Sequence, residues 1–312
     1  MKYKRHLSNK QAGLVGGIAG GLIACGGVVG GSYKILQNVV KPKTKDYHEM
    51  YHQEVGYGRF NEEEFHHLSK EEFNLESEYG YNLHGFFFPN TSNKTIIILH
   101  GITVNLWTSV KYMKMFYDRG YNVCIYDHRN HGLSGGSFSS LGVHEKYDAK
   151  QVIDYIKYKV GKDSIVGLHG ESMGAGTAMM TLGVTEDVDF LIEDCGYSSM
   201  YEELRGRLKI EYKLPAFPFL QISNLLVNGI YSFDFFKDSP IKAMKISEVP
   251  TLFIHGGNDT YVPTSMVYDL YNAKIGPKEL HVFENSKHAA SYVDYGHEYV
   301  EVVHDFLDKY GF

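Results

Sequence analysis

The sequence is poor in several things, and each shortage excludes something. Its 312 residues hold three cysteines, Cys25, Cys124 and Cys195. They are too few and too scattered for a disulfide framework or a cysteine zinc site. Charge of one sign is also scarce: the net charge is -6, and no basic block follows the first ten residues. That balance excludes nucleic acid as the main partner. No internal repeat or low-complexity segment interrupts the chain after its glycine-rich start. With 43% hydrophobic and 14% aromatic residues, the chain is not disordered and can build a sizeable core.

The N-terminus is distinctive. Residues 1–10, MKYKRHLSNK, form a basic tip. Residues 11–33 carry no charge and are long enough to cross a bilayer as a helix. Glycines recur there at four-residue spacing, at Gly13, Gly17 and Gly21, which membrane helices use for close packing. The expectation is a single-pass transmembrane anchor in the cell membrane. Leu22-Ile23-Ala24-Cys25 also has the form of a lipidation site, but the apolar run continues past it. Lysines flank the run on both sides, so the positive-inside rule gives little orientation. An extracellular catalytic domain is expected because a short N-terminal tip rarely crosses. Residues 34–60 contain Pro42, scattered charges and no clear periodicity, and read as a tether. Asn61 to Phe73 has the spacing of a short helix.

From there to Phe312 strands and helices alternate, the pattern of a mostly parallel twisted sheet with helices on both faces. The segment FNLESEYGYNLHGFFFP reads as a hairpin turning near Gly80. Short apolar runs such as Thr95 to Leu99 are buried parallel strands. About sixty residues between the strands at Val188 and Thr251 break the rhythm. Their aromatic, apolar stretch Arg207 to Phe236 is expected to form a helical cap, at about 200–240, and to wall a pocket. The domain proper is thus expected to span 61–312.

In open α/β sheets ligands bind beyond the carboxyl ends of the strands. The strand Ser164 to Leu168 runs into HGESMGAG and then directly into a helix. A glycine-flanked serine alone is weak information, but this strand–turn–helix setting is the one a nucleophile on a sharp elbow needs. Cβ atoms at Gly170 and Gly174 would collide with neighbouring backbone. The strand Thr251 to His255 ends in HGGNDTYVP, bringing Asp259 to a tight turn, and the strand Glu279 to Phe283 ends in ENSKHAASY, bringing His288 to the next loop. Ser172, Asp259 and His288 therefore follow three strands in the order nucleophile, acid, histidine. Asp194, ending LIEDC, is a rival for the acid. After the strand Thr95 to Leu99, HGITVN offers a backbone N–H from Ile102 or Thr103, with Ile102 preferred; together with that of Met173 it would form an oxyanion hole.

Together HG at 100–101, DHRNHGLSGG, GESMG, HGGNDTYVP and the late histidine resemble the α/β-hydrolase superfamily, over roughly Phe73 to Phe312. The similarity is greatest to bacterial membrane-anchored serine hydrolases of the lysophospholipase/monoacylglycerol-lipase and Bem46-like kind. The resemblance implies acyl-ester chemistry on an acyl or lipid substrate, without metal or organic cofactor. HG at 100–101 is not the HGGG of some lipases. Two alternatives stand beside a serine esterase: a peptidase or amidase on the same fold, for which the cap shows no obvious acidic cluster, and an inactive binding module. A dehalogenase is disfavoured, because the elbow carries serine rather than aspartate.

Overall fold

A computed structural model describes residues 26–312. The basic tip and residues 11–25, most of the expected membrane segment, lie outside the described residues. Eight strands form one sheet in the order β1-β2-β4-β3-β5-β6-β7-β8. β1 (Glu71–Glu76) and β2 (Asn82–Phe88) are the expected antiparallel hairpin at one edge. β3 (Lys94–Leu99), β4 (Asn122–Tyr126), β5 (Ile165–Glu171), β6 (Phe190–Asp194), β7 (Thr251–Gly256) and β8 (Lys278–Phe283) run parallel.

Why the parallel strands are apolar throughout is visible in β3. Ile96 and Ile98 join the core on one face, while Ile97 and Leu99 join the core on the other. Successive side chains alternate faces, so a strand covered on both sides has no polar position to spare. One face is covered by α4 (Val110–Tyr117) and α11 (Ser291–Tyr310), the other by α5 (Glu145–Val160), α6 (Met173–Thr181) and α10 (Ser265–Ala273).

The expected tether is folded. Residues 26–40 are helical (α1), and α2 spans Tyr47–Gly56. Asp46 caps α2 by accepting the N–H groups of His48 and Glu49 at 2.9 and 3.0 Å. Tyr47, Met50 and Glu54 are its buried face. That cap and that spacing are in the sequence, but a two-turn apolar stripe among many charges is a weak signal. α3 (Glu62–His67), capped by Asn61, takes only the first part of the helix expected over Asn61 to Phe73, since Glu71 to Phe73 already belong to β1.

α1 packs on the cap. Gly31 lies against Phe219, Ser223 donates to the carbonyl of Ser32 at 3.0 Å, and Ile35, Leu36 and Val40 are buried. The last residues of the charge-free run, expected in a membrane, are therefore packed against protein. Among the described residues no helix is long and apolar enough to cross a membrane.

The short α9 (Pro240–Met244) packs Ala243 and Met244 into the core beside α6; the cap consists of α7 (Met200–Arg207), a π turn (Leu208–Tyr212) and α8 (Phe219–Tyr231). It forms its own apolar cluster with α1 over the carboxyl ends of the strands.

Candidate active site

β5 passes into α6 through Ser172, whose φ of 57° and ψ of -113° lie outside the regions L-residues favour. Two glycines allow this. A Cβ on Gly174 would sit 2.1 Å from the carbonyl oxygen of Leu99, and one on Gly170 would sit 2.5 Å from the backbone of Gly174. Strand, turn and helix can approach this closely only without side chains. The Ser172 N–H donates to the Asp194 carbonyl at 2.8 Å, anchoring the turn to β6.

Ser172 Oγ lies 2.9 Å from His288 Nε2, and His288 Nδ1 lies 2.7 Å from Asp259 Oδ2. Burial raises the Asp259 carboxyl, but hydrogen bonds from His255 and His288 overcome it and hold the group at about 2. Asp259 is therefore a carboxylate at neutral pH and can only accept. That fixes the proton on His288 Nδ1, leaves Nε2 bare, and makes the Ser172 hydroxyl the donor. The second oxygen of Asp259 accepts the N–H groups of Tyr261 and Val262 at 2.8 and 2.9 Å. The His288 loop packs directly on the turn after β7, where a Cβ on Gly256 or Gly257 would meet the carbonyls of Ser286 or Glu284 at 2.5 and 2.4 Å.

Asp194 is elsewhere. Its carboxylate faces Tyr112 at 3.5 Å, within a buried group in which Glu171 accepts from Lys111 at 2.5 Å and from Tyr112 at 2.6 Å. Burial, then the charge of Glu171, pushes Asp194 up to about 6. Glu171, beside the elbow, is thus buried and ion-paired.

The loop after β3 separates its two candidate donors. The Thr103 N–H is taken by His131 Nε2 at 3.2 Å, whereas the Ile102 N–H donates to no backbone or side-chain acceptor among the described residues. Met173 is the first residue of α6, where a backbone N–H has no partner within the helix. Neutral imidazoles hold this loop. His100 Nε2 accepts the His128 N–H at 2.9 Å and its Nδ1–H donates to the Gly101 carbonyl at 2.7 Å. Burial depresses both His100 and His131, which keeps the accepting nitrogens unprotonated.

Sequence reasoning missed several neighbours. His255 Nε2 sits 3.3 Å from Asp259 Oδ2 and donates to the Val262 carbonyl at 3.0 Å. Tyr261 stacks on His288 with ring centres 4.8 Å apart, and the Arg207 guanidinium lies 3.7 Å from the centre of the same tyrosine ring. Lys45, in the segment read as a tether, donates its N–H to the Thr103 carbonyl at 2.8 Å. Cys195, Asp259 and His288 bring donor atoms within 4.8 Å of one another. Burial holds the Cys195 thiol well above its ordinary value, which disfavours the thiolate a metal would need.

A cavity of about 200 Å³ opens over Ser172. Its apolar wall includes Ile35, Val39, Ile102, Leu141, Met200 and Leu204. The cap contributes through α7 and the π turn only; nothing after Tyr212 in the expected wall of Arg207 to Phe236 lines the cavity, because α8 is spent covering α1.

A profile of the family described as serine aminopeptidase, S33, matches residues 90–192. The uncharacterized protein YqkD of Bacillus subtilis is 39% identical over 279 residues, 88% of each chain. The lysophosphatidylserine lipase ABHD12 of Xenopus tropicalis is 30% identical over 194 residues, 59% of this chain and 47% of that protein, so the chain spans about half of it. An esterase of Pyrococcus furiosus has the same fold, with a TM-score of 0.67 at 24% identity over 81% of this chain and 95% of that one.

Proposed function

The chain belongs to the α/β-hydrolase superfamily and is a hydrolytic enzyme of the esterase and lipase-like kind, and from that premise we propose that it cleaves acyl esters through a covalent intermediate on Ser172. The observation that carries the reading is the continuous chain from Ser172 Oγ through the His288 ring to a carboxylate with both oxygens engaged. His288 takes the hydroxyl proton as Oγ attacks the acyl carbonyl, and Asp259 holds the ring tautomer and stabilises the imidazolium. Negative charge develops on the carbonyl oxygen, where the Met173 and Ile102 N–H groups and the start of α6 stabilise it. The alcohol leaves with the proton from His288, which then activates water against the acyl-enzyme.

The apolar wall over Ser172 supports an aliphatic acyl group. A p-nitrophenyl ester series tests this. Between acetyl and about hexanoyl, kcat/KM is expected to rise by about fourfold per methylene, the transfer energy of a CH₂ group. A series that favours acetyl throughout rules out the apolar acyl site.

The charge-free run of residues 11–33, whose end is helical and docked on the cap, supports a membrane tether; the orientation proposed with it has the catalytic domain outside. The full chain is then expected to stay with membranes through alkaline carbonate washing and to be cleaved by protease added to intact cells. Release by the wash removes the tether; full protection from the protease reverses the orientation.

A further inference from the structure

Helix α1 precedes everything that resembles the superfamily, yet it is part of the cavity over Ser172. Ile35, Asn38, Val39 and Pro42 line that cavity. Ile35 and Val39 are four residues apart, so both project from one face of the helix. Ile35 is buried and Val39 is partly buried. Asn38 stands at the exposed rim, where its amide donates to the Tyr212 hydroxyl of the π turn at 3.3 Å. This wall is held in place from two directions. On the cap, Ser223 donates to the Ser32 carbonyl at 3.0 Å and the Gln37 amide donates to the Tyr231 hydroxyl at 3.1 Å. On the sheet side, Ser139 donates its N–H to the Val40 carbonyl at 2.7 Å, and Lys45 donates its N–H to the Thr103 carbonyl at 2.8 Å.

The last two bonds give α1 a side of the active site. Thr103 follows β3 and Ser139 follows β4, both to one side of β5 and Ser172 in the sheet. Asp259 follows β7 and His288 follows β8, both to the other side. The ionisable lining residues Glu203, Arg207 and Glu211 come from α7 and the π turn, where Arg207 pairs with Glu211 and lies over Tyr261, the ring stacked on His288. In the proposed reaction His288 hands its proton to the leaving alcohol, so the leaving group turns towards His288 and the acyl group extends away from it. Away from His288 is the apolar wall of α1.

From this geometry we infer that α1 sets the acyl length the enzyme accepts, with Ile35 and Val39 as the specificity-determining side chains. The inference rests on the proposed serine-hydrolase reading and adds to it residues from the segment that reads as the end of an apolar run and the start of a tether. The preceding chain thus supplies part of the acyl site that the sheet and its loops leave open.

The experiment uses the full chain and two ester series: p-nitrophenyl butanoate and octanoate, which vary the acyl group, and butyl and octyl acetate, which vary the alcohol. V39A removes two methyl groups from the wall. It is expected to raise the octanoate-to-butanoate ratio of kcat/KM by about fourfold for each methylene it makes room for. V39F and I35F overfill the wall and are expected to lower that ratio by about tenfold or more. Opposite movements in the small and large variants distinguish a length gauge from a damaged fold, which lowers both esters together. The octyl-to-butyl acetate ratio is expected to hold in all three, because the alcohol lies on the other side. Y33A, at an exposed position of α1 outside the cavity lining, is the control and is expected to keep both ratios. An octanoate-to-butanoate ratio unchanged in both V39A and V39F overturns the inference, as does a change confined to the acetate series. Loss of fluorophosphonate labelling and of all ester hydrolysis in the wild-type chain is a different result: it removes the serine-hydrolase reading itself.

Discussion

Ser172→Ala is expected to lower kcat/KM for p-nitrophenyl butyrate by about 10⁴-fold or more, and to abolish labelling by a fluorophosphonate probe. The large effect follows from position. Among the described residues Ser172 Oγ is the hydroxyl that hydrogen-bonds His288 Nε2, at 2.9 Å, and it stands at the start of α6 where the oxyanion would form. Alanine adds no bulk at this small, buried position, so folding is expected to be retained and the melting temperature to move little. Labelling of the variant at the wild-type rate would mean that another nucleophile reacts, and the assignment would have to be abandoned. The residual activity of a correctly folded variant is informative too: it measures what substrate binding and the oxyanion donors supply without the covalent step.

Asp259→Asn is expected to cost about 10⁴-fold in kcat, against a much smaller loss for Asp194→Asn. The difference is one of hydrogen-bond direction. Asp259 is ionised at neutral pH and accepts from His288 Nδ1 at 2.7 Å. An asparagine there can present its amide to the ring, reversing the tautomer so that Nε2 carries the proton and cannot take one from Ser172. Asp194 makes no contact of this kind. It shares a buried polar group with Tyr112 and Glu171, and its backbone carbonyl, which the substitution leaves in place, holds the Ser172 N–H. Its replacement is expected to appear mainly as a change in stability. The measurement is kcat for both variants alongside thermal melts; equal losses of kcat would place Asp194 in the reacting chain instead.

Much of the site was legible because strand ends are. Runs such as Thr95 to Leu99 are apolar at every position, since both faces of the sheet are covered, and so they stand out from their surroundings. Once the strands are known, Ser172, Asp259 and His288 are the reactive types at three of their carboxyl ends. The choice of Ile102 over Thr103 was open in the sequence, because both follow the same strand; only the distance from Thr103 N to His131 separates them. The same holds for the two aspartates, each ending a strand. His131 is some thirty residues from the loop it braces, and His255 and Tyr261 act on Asp259 and His288 through packing that no local pattern records.

The segment from 34 to 60 shows the limit most plainly. Its charges and lack of clear period suggest a solvated linker, yet α1 covers the cap, α2 is capped by Asp46, and Lys45 holds the loop after β3. These elements are stable because of what they touch, and an amphipathic stripe of two or three residues says little until the opposing surface exists. Glu203 is the same case in reverse: one glutamate of many in the sequence, and a buried acid without a partner only after α7 closes over Ser172. The order of chemical groups along the chain is thus set by local patterns of apolar runs, glycines and turns. Which groups meet, which donors stay free and which charge is left uncompensated are set by contacts between segments far apart in sequence, because burial and hydrogen bonding are properties of the assembled neighbourhood.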